Sequence, residues 1–348
     1  MLPSTSLAID TAEGMPGAAP PRTYGDGGGV VLYNGKVGNQ RLDRFWRKFY
    51  SAMRSRRMQH NRHLWPYVSI KRDATGAIAA FKAFRHSVPL TPFSEAFPEK
   101  TELLHLILSG PSIAEIQYDR LPIQSAMGVN GSIALVRKFD IPFKYYCVID
   151  QNFVRRRIDL MRDVVARDLT LFVTPDVLRY LMQGIAPTTY KCRICVIEVV
   201  SERAYQPAST PQDLLALAQA CPEMAVFDAE RALGFSSNLA RGVFDADTVA
   251  YTALQVMVAG GVKKMYVHGL DLGFSSGRRF YDEGARPETS RLVRNFERMI
   301  EPSFAHAAHL LQERGVELHN LSLDSALSER VIPKMDWREL LPPAQAQQ

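Results

Sequence analysis

Apolar residues along this chain fall into short runs separated by turn-forming clusters, and the period changes from run to run. "LLHLIL" at 103–108 is an apolar run of strand length, closed by "SGPS". "IAEIQYDRL" reads as a short helix, and "SAMGVNGS" as a second strand ending in a turn. "KYYCVID" and "LTLFVT" read as a third and a fourth strand, and "CRICVIEVV" as a further buried one. "TVAYTALQVMVAGG" is small and apolar nearly all round, which predicts a buried helix. "KKMYVHGLDL" then reads as a central strand, "FAHAAHLLQERG" as a helix stopped at Gly315, and "VELHNLS" as the last strand. Strands alternating with helices predict an α/β fold, with a mostly parallel sheet covered by helices on both faces.

The first hundred residues carry a different pattern. Residues 1–29 are rich in Gly, Pro, Ala, Ser and Thr and end in "GDGGG", the composition of a disordered tail. Residues 30–100 read as a basic extension, with about ten more basic than acidic residues between positions 36 and 72. Within it Leu42, Phe45, Trp46, Phe49, Tyr50 and Met53 recur at helical spacing. Arg41, Arg44, Arg47, Lys48, Arg54 and Arg57 fall mainly on the remaining surface. Such a helix suits a membrane interface, and it equally suits docking on the rest of the chain with its charges solvated. Residues 76–100 are proline-studded and aperiodic towards their end, and are expected to connect.

Composition narrows the class. At 348 residues and 46% hydrophobic content the chain can bury a large α/β core, and its charged fraction of 22% is that of a globular protein. The formal net charge of +6 suits nucleic acid, an anionic membrane or a phosphate-bearing substrate. No nucleic-acid reader motif accompanies the basic block, so nucleic acid is not expected as a partner. Cys192 and Cys195 form a CxxC, but no second pair or histidine cluster completes a zinc site, and both fall in an apolar strand. No apolar run reaches the roughly 20 residues of a bilayer span. The N-terminus has no basic and apolar leader pattern. A cytoplasmic protein, peripheral on a membrane, is expected.

In open α/β sheets the ligand lies beyond the C-terminal ends of the strands, which selects candidates by position. After the first strand come Ser109, Gly110, Pro111 and Ser112. Gly110 permits close backbone approach, Pro111 is preset for a first helical turn, and the following N–H groups can hold a phosphate. The second strand ends at Asn130, Gly131 and Ser132, and the third at Asp150, Gln151 and Asn152. The central strand ends at Gly269, Leu270, Asp271 and Leu272. Thr248, at the start of the buried helix, joins the substrate-binding set. Amides at such positions can read a base edge or sugar hydroxyls, and the same residue types also serve as turns and caps. Next, "GRRFYDEG" brings Arg278, Arg279, Tyr281, Asp282 and Glu283 just past a strand end, where a phosphate clamp and an acid–base residue are useful. Asp245-Ala246-Asp247 mimics a DxD metal motif but precedes a helix, where acids cap.

"LSGPS", "VNGS", "IPFKYYCVIDQNFVRRR", "HGLDL", "RFYDE", "ETSR" and "LHNLSLDSAL", in this order, resemble the lipopolysaccharide-core transferases that add a third Kdo, a 3-deoxy-ulosonic acid. The resemblance spans residues 103–335. More distantly, the "GPS" turn, the strand-end amides and "GLD" are similar to bacterial CMP-sialic acid transferases. It implies a Rossmann-like domain over 101–345 with a small lid subdomain, its insertions near 198–240 and 274–302. It further implies metal-independent inverting transfer with no cofactor, from CMP-Kdo to a Kdo–lipid A inner-core acceptor at the anionic inner-membrane surface. In that scheme Ser109, Gly110, Ser112, Asn130 and Asn152 hold the CMP, while Arg279 and Tyr281 stabilise the departing phosphate. Glu283 is the expected general base, with Asp282 and Asp271 behind it. The sialyltransferase-like histidine base has no counterpart here. After Glu288 the first histidines are His306 and His309, on a helix that reads as structural, and Gly273 stands where a phosphate-flanking tyrosine would be. A CMP-sialic (nonulosonic) acid transferase and a non-catalytic, membrane-associated assembly factor with a nucleotide fold are the alternative readings.

Overall fold

A computed structural model describes residues 40–272 and 295–342. Seven strands form one wholly parallel sheet: β4 (Leu103–Ile107), β5 (Ala126–Val129), β6 (Phe143–Val148), β7 (Thr170–Val173), β8 (Arg193–Val196), β11 (Lys264–His268) and β12 (Glu317–Asn320). Their spatial order is β12-β11-β4-β5-β6-β7-β8. Successive side chains alternate between two cores. Leu104, Leu106, Phe172, Met265 and Val267 enter one, and Ile107, Leu171, Val173 and Tyr266 the other. Burial on both faces is why these strands read as near-continuous apolar runs.

The first core is covered by α6 (Val249–Ala259) and α7 (Glu301–Glu313), together with α5 (Pro211–Ala220). Beside them β9 (Met224–Asp228) and β10 (Leu233–Ser236) pair antiparallel. Ala250 to Met257 of α6 are all buried, as an all-round apolar helix requires. After α7, Gly315 takes φ +66 and the Val316 N–H returns to the Leu311 carbonyl at 2.9 Å, so the helix stops at Gly315.

The second core is covered by α3 (Ile158–Val165), α4 (Pro175–Gly184) and a three-stranded antiparallel meander. The meander is β1 (Val68–Arg72), β2 (Ile78–Ala83) and β3 (His86–Val88). Val68, Ile78, Phe81 and Val88 belong to the same core as α4, so the basic extension helps to close the sheet. Residues 76–100, expected as a connection, thus include two strands. Ala79 and Ala80 stand exposed where polar residues would mark an alternation, and this hides the strand.

"IAEIQYDRL" is not one helix. It consists of two 3-10 turns, Pro111–Glu115 and Tyr118–Arg120. Between them Ile116 is extended, with φ −86 and ψ 127, and interrupts the helix. In the extension, α1 (Gln40–Met53) splits its apolar stripe. Trp46 and Tyr50 turn onto Trp65, with ring centroids 5.3 and 5.8 Å away, Phe49 stacks on the same ring at 6.0 Å while staying exposed, and Phe45 and Met53 remain exposed. Cys192 and Cys195 are buried free thiols at β8, and burial pushes both up to about 12, so they are core residues. No helix among the described residues is long and apolar enough to cross a membrane.

Candidate active site

From β4 the chain winds one way to β8, then returns to lay β11 and β12 on the other side of β4. The strand order reverses between β4 and β11, the switch point where doubly wound sheets place a ligand crevice beyond the C-terminal ends of their strands.

One side of that crevice is laced shut. The Leu108 N–H donates to the His268 carbonyl at 2.9 Å and the Gly110 N–H to the Gly269 carbonyl at 3.2 Å. A Cβ on Gly110 would stand 2.0 Å from Asp271 Oδ2 and 2.4 Å from the Gly269 oxygen, so only glycine fits. Gly269 itself takes φ +72, in the left-handed region. Asp271 Oδ2 accepts from the Ser112 N–H at 3.1 Å, and its own carbonyl accepts from Ala326 N–H at 2.8 Å. Asp271 therefore caps the turn at Pro111–Glu115 through a donor that a phosphate would otherwise use. Beyond β12, Ser322 Oγ lies 2.8 Å from Ser112 Oγ, and the Ser325 hydroxyl donates to the Leu270 carbonyl at 2.5 Å. Asn320 Oδ1 in turn accepts from the Ser322 N–H at 3.0 Å. Sequence reasoning assigned no role to Asn320, Ser322 or Ser325, although "LHNLSLDSAL" contains all three.

Beneath this side lies a histidine pair that sequence reasoning also missed. His105 Nδ1 and His268 Nε2 are 2.8 Å apart, and Tyr118 Oη is 3.3 Å from His268 Nδ1. Burial holds His105 down at about 4 and His268 well below its ordinary value, with the neighbouring His105 adding to the effect, so both are neutral at pH 7.

The other side differs. At the end of β5, Asn130 is buried with φ +45, and its Oδ1 has no hydrogen-bond partner in the protein. At the end of β6, Gln151 Oε1 is likewise buried and unpartnered. Among the described residues few side-chain atoms share this condition, and these two stand at adjacent strand ends. The backbone that carries them is firmly held. Tyr146 donates its hydroxyl proton to the Asn130 carbonyl at 2.7 Å and accepts from the Ile133 N–H at 2.8 Å. Ser132 Oγ lies 3.0 Å from Tyr146 Oη and accepts from the Val129 N–H at 2.9 Å. Ser132 is thus fully buried in a structural network, and Gly131 is buried beside it. Asp150 Oδ1 accepts from the Asn152 N–H at 2.7 Å and caps α2 (Gln151–Arg156).

Other candidates are caps. Thr248 accepts from the Ala250 N–H at the start of α6. Asp245 Oδ1 accepts from the Asp247 N–H at 2.8 Å, and Asp247 Oδ2 accepts from Asn295 at 2.7 Å. Among the described residues, no three His, Cys, Asp or Glu side chains are grouped to hold a metal ion. His306 stacks on Phe227 with centroids 4.8 Å apart, and His309 is exposed beside Glu313. Gly273, Arg278, Arg279, Tyr281, Asp282 and Glu283 lie outside the described residues.

The family model described as "3-deoxy-D-manno-octulosonic acid transferase WaaZ" matches residues 97–338. Two curated relatives carry the name "Probable 3-deoxy-manno-octulosonic acid transferase". The one from Salmonella typhimurium is 24% identical over 240 residues, covering 68% of this chain and 87% of the relative. The one from Escherichia coli K12 is 25% identical over 240 residues, covering 68% of this chain and 83% of the relative. No solved structure matches the chain. The matched span begins just ahead of β4, takes in the whole parallel sheet and both sides of the crevice, and leaves out α1 and the meander. The chain belongs to the WaaZ family of 3-deoxy-D-manno-octulosonic acid transferases.

Proposed function

We propose that this chain transfers Kdo from CMP-Kdo, with inversion, to a Kdo residue on the lipid A inner core of lipopolysaccharide. The observation that carries the donor assignment is the pair of unpartnered amide oxygens, Asn130 Oδ1 and Gln151 Oε1. A buried acceptor without a donor costs about 1–3 kcal/mol, a cost offset when a ligand supplies the proton. The exocyclic amine of cytosine and the ribose hydroxyls are such donors. Uracil offers a carbonyl where cytosine has its amine, so the same oxygens favour the cytidine nucleotide.

Ser109, Gly110 and Ser112, with Asn152, line the rest of the CMP, Ser112 through its hydroxyl because its N–H is held by Asp271. The bond from the anomeric carbon to the phosphate oxygen breaks as the acceptor oxygen bonds from the opposite face. Arg279 and Tyr281 stabilise the charge gathering on the leaving CMP. Glu283 takes the acceptor hydroxyl proton. Asp271, engaged with the Ser112 N–H, orients the turn rather than acting as the base. The nucleoside monophosphate is a fair leaving group in its own right, and this mechanism uses no metal. The acceptor is lipid-linked, so the enzyme works on the cytoplasmic face of the inner membrane.

Thermal denaturation tests the donor class. CMP at 100 times its dissociation constant should stabilise the protein by roughly 2.7 kcal/mol, whereas UDP and GDP should leave the midpoint unmoved. A preference for UDP overturns the assignment.

A further inference from the structure

The feature least explained by the transfer reaction is α1. An isolated amphipathic helix docked on a domain buries its apolar stripe, and this one does so only in part. Trp46 and Tyr50 face inward onto Trp65, and Asp43 pairs with Arg179 at 3.0 Å. Arg179 is 1% exposed and lies over the rings of Tyr180, Tyr67 and Phe84 at 4.1, 4.9 and 5.2 Å. These contacts fasten α1 to α4 by one face. The adjoining face is largely in solvent: Phe45 is 55% exposed, Met53 67%, and Phe49 41% even though its ring also stacks on Trp65 at 6.0 Å. At 100° per residue these three form a single outward ridge, and Arg44 and Lys48, both exposed, flank it on the side away from the docking contacts. The helix carries four basic residues against one acid, Asp43, and that acid is turned inward to Arg179.

We propose that this outward ridge of α1 is a docking surface for a bilayer containing anionic phospholipid, and that it turns the C-terminal edge of the parallel sheet toward that bilayer. Aromatic and sulfur-containing side chains enter the headgroup boundary while the flanking cations meet the anionic headgroups. The charge pattern selects this occupant over a second copy of the chain, which would bring its own basic flank against the first. The position of α1 supplies the orientation. Arg179 and Tyr180 lie one turn into α4, which starts directly beyond β7. Arg155 of α2 covers the Tyr180 ring at 5.4 Å, and α2 begins at Gln151, the candidate donor-reading residue at the end of β6. The docking helix and the crevice therefore share one edge of the sheet. The benefit to catalysis rests on the proposed lipid-linked acceptor; the docking itself does not.

The test uses the full chain and sedimentation with vesicles of equimolar phosphatidylcholine and phosphatidylglycerol, against vesicles of phosphatidylcholine alone. The wild-type protein should sediment with the anionic vesicles. The double variant Phe45→Ser, Met53→Ser should lose roughly tenfold or more of that binding with an unchanged melting midpoint, because both side chains are exposed. Arg44→Glu with Lys48→Glu should weaken binding at low salt and matter less at high salt. Wild-type protein that stays in the supernatant, or an apolar double variant that binds as wild type does, overturns the proposal. So does a concentration-dependent dimer that the apolar double variant abolishes, since a second copy then covers the ridge. Binding is read without donor, acceptor or turnover, so its failure is separate from any failure of the transfer reaction.

Discussion

The two sides of the crevice are built from the same residue types and behave in opposite ways. Beyond β4, β11 and β12, polar groups satisfy one another: Asp271 with Ser112, Ser322 with Ser112, Ser325 with Leu270. Beyond β5 and β6, Asn130 and Gln151 keep buried oxygens without protein partners. A small or amide residue at a strand end is thus not one signal. Where its hydrogen bonds close within the protein it supports the frame, and where they do not the proposed function has a ligand supply the partner.

The largest effect should come from neither side. Glu283→Gln should lower turnover roughly 100-fold or more while CMP affinity is kept, as steady-state kinetics and calorimetry can show. Near-normal turnover moves the base to Asp282. On the laced side, Gly110→Ala must push apart the two loops that a Cβ would strike, and should cost about 3 kcal/mol in denaturant unfolding. A variant as stable as wild type would mean that the lacing is slack. On the open side the signs reverse. Gln151→Leu removes an unsatisfied acceptor, so stability should hold or rise by about 1 kcal/mol while CMP binding weakens roughly tenfold. A loss of stability with intact CMP binding would erase the contrast between the sides.

The laced side was legible only in outline. Its strands announce themselves because both faces of the parallel sheet are buried, Leu104, Leu106, Met265 and Val267 on one and Ile107 and Tyr266 on the other. The strand-end rule then finds Ser109, Gly110, Gly269 and Asp271. That Asp271 caps Ser112 is not legible, because 159 residues separate them and either could have faced the ligand. Ser112 and Ser322 are 210 residues apart, and neither carries a local mark of the other. The histidine pair escaped for a related reason: His105 and His268 each look like a lone polar residue inside an apolar strand, and only the pairing of β4 with β11 brings them together. The split of α1 was invisible because Trp46 and Phe45 are equally apolar, and only Trp65 decides which turns inward. The roles given to Arg279, Tyr281 and Glu283 rest on the sequence resemblance.

The histidine pair gives the laced side a pH dependence. Its folded-state values lie below the ordinary 6.5, so the unfolded chain binds protons first as pH falls. The stability due to neutral His105 and His268 is complete above about pH 6.5 and declines toward about pH 4. Between pH 7 and pH 5 His105 alone should account for a loss of about 2 kcal/mol, to which His268 adds, measured by urea unfolding. His105→Gln should flatten that slope, and an unchanged slope would mean that the pair is solvated. The smallest effect should follow Asp271→Asn, which keeps an acceptor for the Ser112 N–H but removes its charge, at a cost of about 1 kcal/mol with turnover largely kept.

The transfer reaction itself is tested by incubating the purified full chain with Kdo–lipid A and either CMP-Kdo or CMP-sialic acid, and weighing the lipid product by mass spectrometry. CMP-Kdo should add a single Kdo unit, and CMP-sialic acid should add nothing. Transfer of sialic acid in preference, or no transfer from either donor by protein that binds CMP, would contradict the proposed function.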